Sequence, residues 1–429
     1  MKIKLQIPDL SILLAIASTT LYVVFRNLGR EAGSFTFLWS PITLLFITYK
    51  RHSVFSKAPM GILLLYGIMM VGILQYTLWK YMDDWNRPRI LLEFYYLVIM
   101  TAILGYYRSK GDFKMLAFLS KLTFIFIIIS LITTNIALSI DNNLVRQSAA
   151  SGEFTAVQRR IYKLTGAMGY SYAQAVVCLI PIIIYHIKNK KRMVFAPKIL
   201  VSVLLLLLFT QTRTQVFANI LVTVAITTLA IIGSKKRWVS FITISFFAIL
   251  LTVIPNSFYA KTLSSLSNYF DQNSEMYYKL NDFAVFVENP DIDPSTGAGA
   301  RAERYPLLYN ALINSPVLGN TSYRSHLNIE SGAHLYWMNR LALWGIPGFL
   351  FFIFMLYKIY RSISSLFDAN YSFYYFLSVM AFVFLGLIKA IGGSEPWLIL
   401  IVVIPGLYFL PLLEESKKDM AIHKNSIIK

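Results

Sequence analysis

Apolar stretches of roughly twenty residues recur along almost the whole chain, separated by short polar or basic clusters. That rhythm predicts helices long enough to cross a bilayer. Twelve spans are expected, at approximately 7–25, 34–49, 59–79, 90–107, 115–138, 170–187, 194–212, 215–233, 238–255, 335–357, 372–391 and 397–413. The fold class is therefore all-α and polytopic, with about 12 transmembrane helices.

The polar intervals are of two kinds. MKIKLQ, KRHSVFSK, RSKGDFK, KNKKRMVFAPK, SKKRW, the YKIYRSISS turn and the tail hold roughly 22 of the 40 Lys and Arg in about 60 residues. Basic loops stay on the cytoplasmic side, so both termini are expected there. The first run lacks a small-residue cleavage site and is read as a retained helix. The other intervals are long and fall outside: Asp141 to Gly169, and Asn256 to Ala333. Loops of that length with their own apolar positions carry function more often than linkers do. Tyr269, Phe270, Met276, Tyr277 and Leu280 suggest short amphipathic helices on the membrane surface. The organisation read is residues 1–255 with nine spans and an outer loop at about 139–169, a large outer loop at 256–334, three spans in 335–413, and a tail at 414–429.

Composition agrees, with 56% hydrophobic and 14% charged residues. The net charge of +19 does not point to nucleic acid, because much of it sits in the clusters between spans. Cys178 is the single cysteine and lies in an apolar run, so no intramolecular disulfide exists. No GxxxxGK[ST] phosphate loop is present, which argues against ATP hydrolysis.

Candidate chemistry gathers between Gly299 and Gly348. Ser295 or Thr296 can cap a helix running to about Ser315, ended by Pro316, with Arg301 and Arg304 on the face of Leu308. Cations there oppose the macrodipole but suit an anion held by guanidinium forks and free amides. A solvated basic turn paired with Glu303 is the alternative. His334 stands where a long apolar helix begins, and Gly345 and Gly348, eleven and fourteen positions on, would share its face. A lone interfacial histidine above a glycine packing face is the plainer reading. Arg213, in QTRTQ between two apolar runs, needs a partner at the outer boundary or snorkels to headgroups. Arg159 and Arg160 precede Gly166 and Gly169, where backbone can approach a ligand. Glu93, Lys121 and Lys389 lie in or near spans and are assigned to structural pairing or snorkelling. Asp291-Ile292-Asp293 can hold a divalent cation, but such triplets are common by chance and no metal site is assigned.

Outward arginines with one histidine suit a pyrophosphate-bearing substrate and a base that takes a proton from an attacking hydroxyl. A transporter would instead place charges at the midplane of two related halves. TQTR ending at Arg213, GAR ending at Arg301 with SP fourteen residues later, and a histidine followed by GIPG resemble the bacterial O-antigen polymerase and ligase superfamily. The resemblance covers most of the chain and rests on the order of these motifs. It implies a C-type glycosyltransferase-like fold in the bacterial inner membrane, active on the external face. It also implies transfer of a glycan from undecaprenyl pyrophosphate to a sugar hydroxyl, with no metal and no cofactor. By the same resemblance Arg213, Arg301, Arg304 and Arg160 contact the pyrophosphate, and His334 is the base. The partners implied are a lipid-linked oligosaccharide donor, an acceptor sugar, membrane lipids and a chain-length regulator protein. Ligases carry a polar residue after the histidine where this chain has Leu335. That favours a polymerase joining lipid-linked repeat units over a ligase acting on lipid A–core.

Overall fold

A computed structural model describes residues 5–21, 24, 32–51, 54, 58–80, 87–145, 155–189, 195–214, 216–233, 255–270, 272, 275–288, 304–319 and 335–413. Every regular element among them is helical. In chain order these are α1 (Ile7–Thr20), α2 (Ala32–Arg51), α3 (Ala58–Lys80), α4 (Arg87–Lys110), α5 (Phe113–Ile140), α6 (Ala156–Thr165), α7 (Tyr170–Val177), α8 (Ile180–Lys188), α9 (Pro197–Arg213) and α10 (Phe217–Ile232). There follow α11 (Asn256–Ser267), α12 (Glu275–Glu288), α13 (Arg304–Asn314), α14 (Tyr336–Ser364), α15 (Ala369–Ile388) and α16 (Ser394–Leu398), then a π-helical turn (Ile399–Val403) and α17 (Ile404–Tyr408). Four membrane-length apolar segments occur among the described residues: α5, α7 with α8, α14, and α15. The protein is an all-α membrane protein. The span expected at 238–255 lies outside the described residues.

Several spans depart from plain helices for local reasons. In the first, helix α1 closes at Thr20, whose carbonyl accepts from the Ser130 and Tyr172 hydroxyls (2.7 and 3.2 Å), and Val24 is again helical. Ser18, Thr19 and Thr20 also bond back to carbonyls of the preceding turn, which weakens a helix there. The sixth is α7 and α8 around a tight turn at Cys178 and Leu179, where Pro181 has no N–H to give to Val177. Tyr269 and Phe270 fall in the turn after α11 rather than on a helix, whereas Leu280 is buried on α12. Helices α11 and α12 form a hairpin tied by the Ser267 hydroxyl and Asn281.

Helix α14 corrects the expected face of His334, Gly345 and Gly348. Gly345 has φ 65° and ψ 179°, so the helix breaks there and its two parts do not share one wheel. Pro347 has no N–H to close the next turn, and the Ile346 N–H donates sideways to the Pro316 carbonyl (2.8 Å). The strap Ser315–Gly319 seats against this break. A Cβ on Gly319 would lie 2.0 Å from the Leu343 carbonyl oxygen, and one on Gly345 2.5 Å from that of Val317. Both glycines also have positive φ. Gly319→Ala and Gly345→Ala are each expected to cost at least about 1–3 kcal/mol, read as a lower thermal midpoint of purified protein.

Contacts between helix termini define two distinct ends of the bundle. At one, Lys110 donates to Gln6 and pairs with Asp112 (3.2 Å), Arg108 donates to Ser362, and Lys188 donates to the Ala230 and Ile231 carbonyls. Asn370 bonds Asn189 at the same end. At the other end lie the C-termini of α5, α9 and α15 and the N-termini of α7, α14 and α16.

Candidate functional site

At that second end, TQTR serves the bundle before any ligand. The Thr210 hydroxyl accepts from the Asn135 amide (2.6 Å), and the buried Gln211 donates to the Ala173 carbonyl (2.8 Å) and accepts from Asn219 (3.3 Å). The polar interruption thus ties α5, α7, α9 and α10 together. Arg213 closes α9, half-buried, and reaches the C-terminus of α5. Its guanidinium donates to the Leu138 carbonyl (2.8 Å), the Ser139 hydroxyl (3.0 Å) and the Asn142 side chain (2.9 Å), and lies 5.5 Å from the Phe209 ring centre. The Leu138 carbonyl has no acceptor role left within α5, and a cation there complements the negative end of the dipole. The partner expected for Arg213 is therefore a helix terminus. Among the described residues three of its five N–H donors are used.

Helix α6 meets the same terminus. Thr155 and Gln158 form a reciprocal capping box, and the Gln158 amide donates to Asp141, the cap of α5 (2.7 Å). Gly166 and Gly169 both serve as helix caps. Gly166 ends α6 in the left-handed region (φ 58°), and Gly169 is the N-cap of α7. Arg159 and Arg160 are exposed on α6.

The start of α14 is fixed nearby. Leu335 is buried, and the Tyr336 N–H donates to the Lys389 carbonyl (3.3 Å) at the end of α15. The Lys389 ammonium sits 5.5 Å from the ring centre of Tyr170, at the start of α7. Helix α13 packs on α14, and the Tyr305 hydroxyl donates to the Leu387 carbonyl (2.7 Å). Burial raises the Tyr305 phenol above its ordinary value, so that proton stays in place at neutral pH. Arg304 is the first residue of α13, and Pro306 stands in the first turn, where no N–H is needed. The end of α13 at Asn314, just before Ser315 and Pro316, agrees with expectation. One bundle end therefore carries Arg213, Arg160, the beginning of α13 and the residues that follow His334. Arg301, His334, Ser295, Thr296, Asp291 and Asp293 lie outside the described residues, as does the side chain of Arg304. Among the described residues no three metal-ligating side chains cluster.

Sequence reading named only one half of the buried charge pair beside this site. Glu93 of α4 accepts from the Tyr336 hydroxyl and the Arg340 guanidinium, and Arg340 stacks 3.6 Å from the Tyr336 ring centre. Pairing of Glu93 was expected, but Arg340 was not named, although a cation inside an apolar run signals a buried acid partner. The loop after α15 lies directly on the pair: a Cβ at Gly392 would sit 3.3 Å from both Arg340 Nη2 and Glu93 Oε2. Ser171 of α7 donates to Glu395 alongside (3.1 Å).

Below, α14, α15, α16 and the π-helical turn border an open apolar groove of about 650 Å³ lined by Trp337, Tyr360, Phe376, Phe382 and Trp397. No protein-family model matches the chain, and no curated protein matches it in sequence.

Proposed function

We propose that the protein is an oligosaccharide repeat-unit polymerase of the bacterial inner membrane, with the end bearing Arg213 on the external face. The donor is a glycan on undecaprenyl pyrophosphate, and the acceptor is a sugar hydroxyl of a second lipid-linked unit. The reading rests on one observation above others: Arg213 is held at a helix terminus with two N–H donors not taken up among the described residues, at the end from which α13 and α14 begin. In this reading Arg213 and Arg301 hold the diphosphate, Arg304 assists, and Arg160, exposed on α6, is left out of the grip. His334 takes the acceptor proton as the new glycosidic bond forms and the carrier diphosphate departs with the bonding pair. The open apolar groove between α14 and α15 suits the isoprenoid tail. The basic clusters at the opposite end support a cytoplasmic placement for it.

Arg213→Lys tests the assignment. A lysine can keep one bond to the Leu138 carbonyl but has no second arm for an anion. Polymer formation by purified protein is expected to fall about tenfold to a hundredfold, while the thermal midpoint changes little. A variant that loses stability but keeps activity would mean that Arg213 only caps α5. In cells, loss of the protein is expected to leave lipid A–core carrying a single repeat unit. A ligase would leave the core bare and polymer on the carrier.

A further inference from the structure

We propose that α6 is an interfacial anchor whose Arg159, Arg160 and Lys163 bind the headgroup phosphates of anionic phospholipids. The inference needs only that the bundle is in a membrane, and it stands whatever reaction the protein catalyses.

The height of α6 is set by α5. Ile132, Ile136 and Ile140 recur every fourth residue on α5, exposed at 45, 52 and 63%. An apolar stripe left open on a membrane-length helix faces hydrocarbon. It stops at Asp141, and Asp141 is the residue that Gln158 of α6 holds. Helix α6 therefore lies where hydrocarbon gives way to headgroups.

The sides of α6 follow the same order. At about 100° per residue, Ile161, Thr165, Gln158 and Tyr162 occupy one side. Ile161 and Tyr162 pack on Ala137, Leu144 and Ala167, which fixes that side against the bundle. Next around the helix come Val157 and Leu164, apolar yet exposed at 69 and 61%. Arg160 follows by about 50°, then Lys163 and Arg159, all three exposed. Among the described residues no salt bridge takes up any of these cations.

Bundle contact, open apolar edge and cationic edge thus succeed one another in the order of a helix lying flat at a bilayer surface. In water, Val157 and Leu164 would gain nothing from exposure. At the boundary they enter the acyl region, and the cations meet phosphates. A protein partner would also cover the apolar edge, but the cations favour an anionic surface at the depth α5 sets.

The test uses the full-length protein in nanodiscs of phosphatidylcholine with or without phosphatidylglycerol. Cys178 is buried, so a thiol dye on Leu164→Cys labels that position. The dye is expected to be quenched by nitroxide-bearing lipid and protected from aqueous iodide. Quenching by iodide as strong as for free dye would overturn the proposal, as would shielding from both quenchers, which would mean that protein covers this face. Native mass spectrometry reads the second arm. The triple variant Arg159→Ala, Arg160→Ala, Lys163→Ala is expected to retain at least about tenfold less phosphatidylglycerol, while lysine at 159 and 160 restores it. Equal retention by the alanine variant would also overturn the headgroup assignment.

Discussion

Arg340→Ala is expected to lower the stability of the purified protein by about 3–5 kcal/mol, because it leaves a buried carboxylate with no counter-charge. Glu93 and Arg340 are exposed by only 3 and 8%, and the Tyr336 hydroxyl alone cannot replace the guanidinium. Glu93→Ala is expected to be comparably damaging, since it strands the cation. The double variant Glu93→Gln, Arg340→Leu removes both charges and is expected to recover much of the loss. Thermal unfolding in detergent, run as a double-mutant cycle, measures the coupling. Additive losses would show that the two side chains do not act as a pair. The effect matters for the site because Tyr336, which the pair holds, lies two residues after His334.

His334→Ala has the other large expected effect, on rate instead of folding. Removing a general base is expected to slow glycan transfer by roughly 10²–10⁴-fold. Leu335 and Tyr336 fix the start of α14, so the thermal midpoint should stay close to that of the parent. Polymerisation that continues unchanged in this variant would mean that His334 is not the base. Tyr336→Phe gives the contrast, since it removes only the hydroxyl donated to Glu93 and should act on stability first.

Much of the architecture was legible because hydrocarbon imposes a length on each apolar run. The runs at 115–138 and 372–391 became α5 and α15 with ends shifted by only a few residues. What composition could not show was where backbone bonds are redirected. Gly345 sits in an apolar run that scores as one helix, yet its left-handed backbone and the strap from Ser315 split it, so a wheel drawn through position 345 misplaces everything beyond. Gly166 is the left-handed stop of α6, a role that a glycine there does not by itself announce. The Glu93–Arg340 pair joins residues 247 positions apart, so an apolar run can announce a buried charge but not which distant residue answers it. Arg213 was legible as a charge that needed company, though not that its company would be the end of α5.

The most direct measurement supplies purified protein in liposomes with a single lipid-linked oligosaccharide and follows both chain length and free carrier diphosphate. Longer glycans should form, with one carrier diphosphate released for each unit added, and without nucleotide sugar or added metal. Intact donor that only crosses the bilayer, with no elongation and no diphosphate released, would contradict the account.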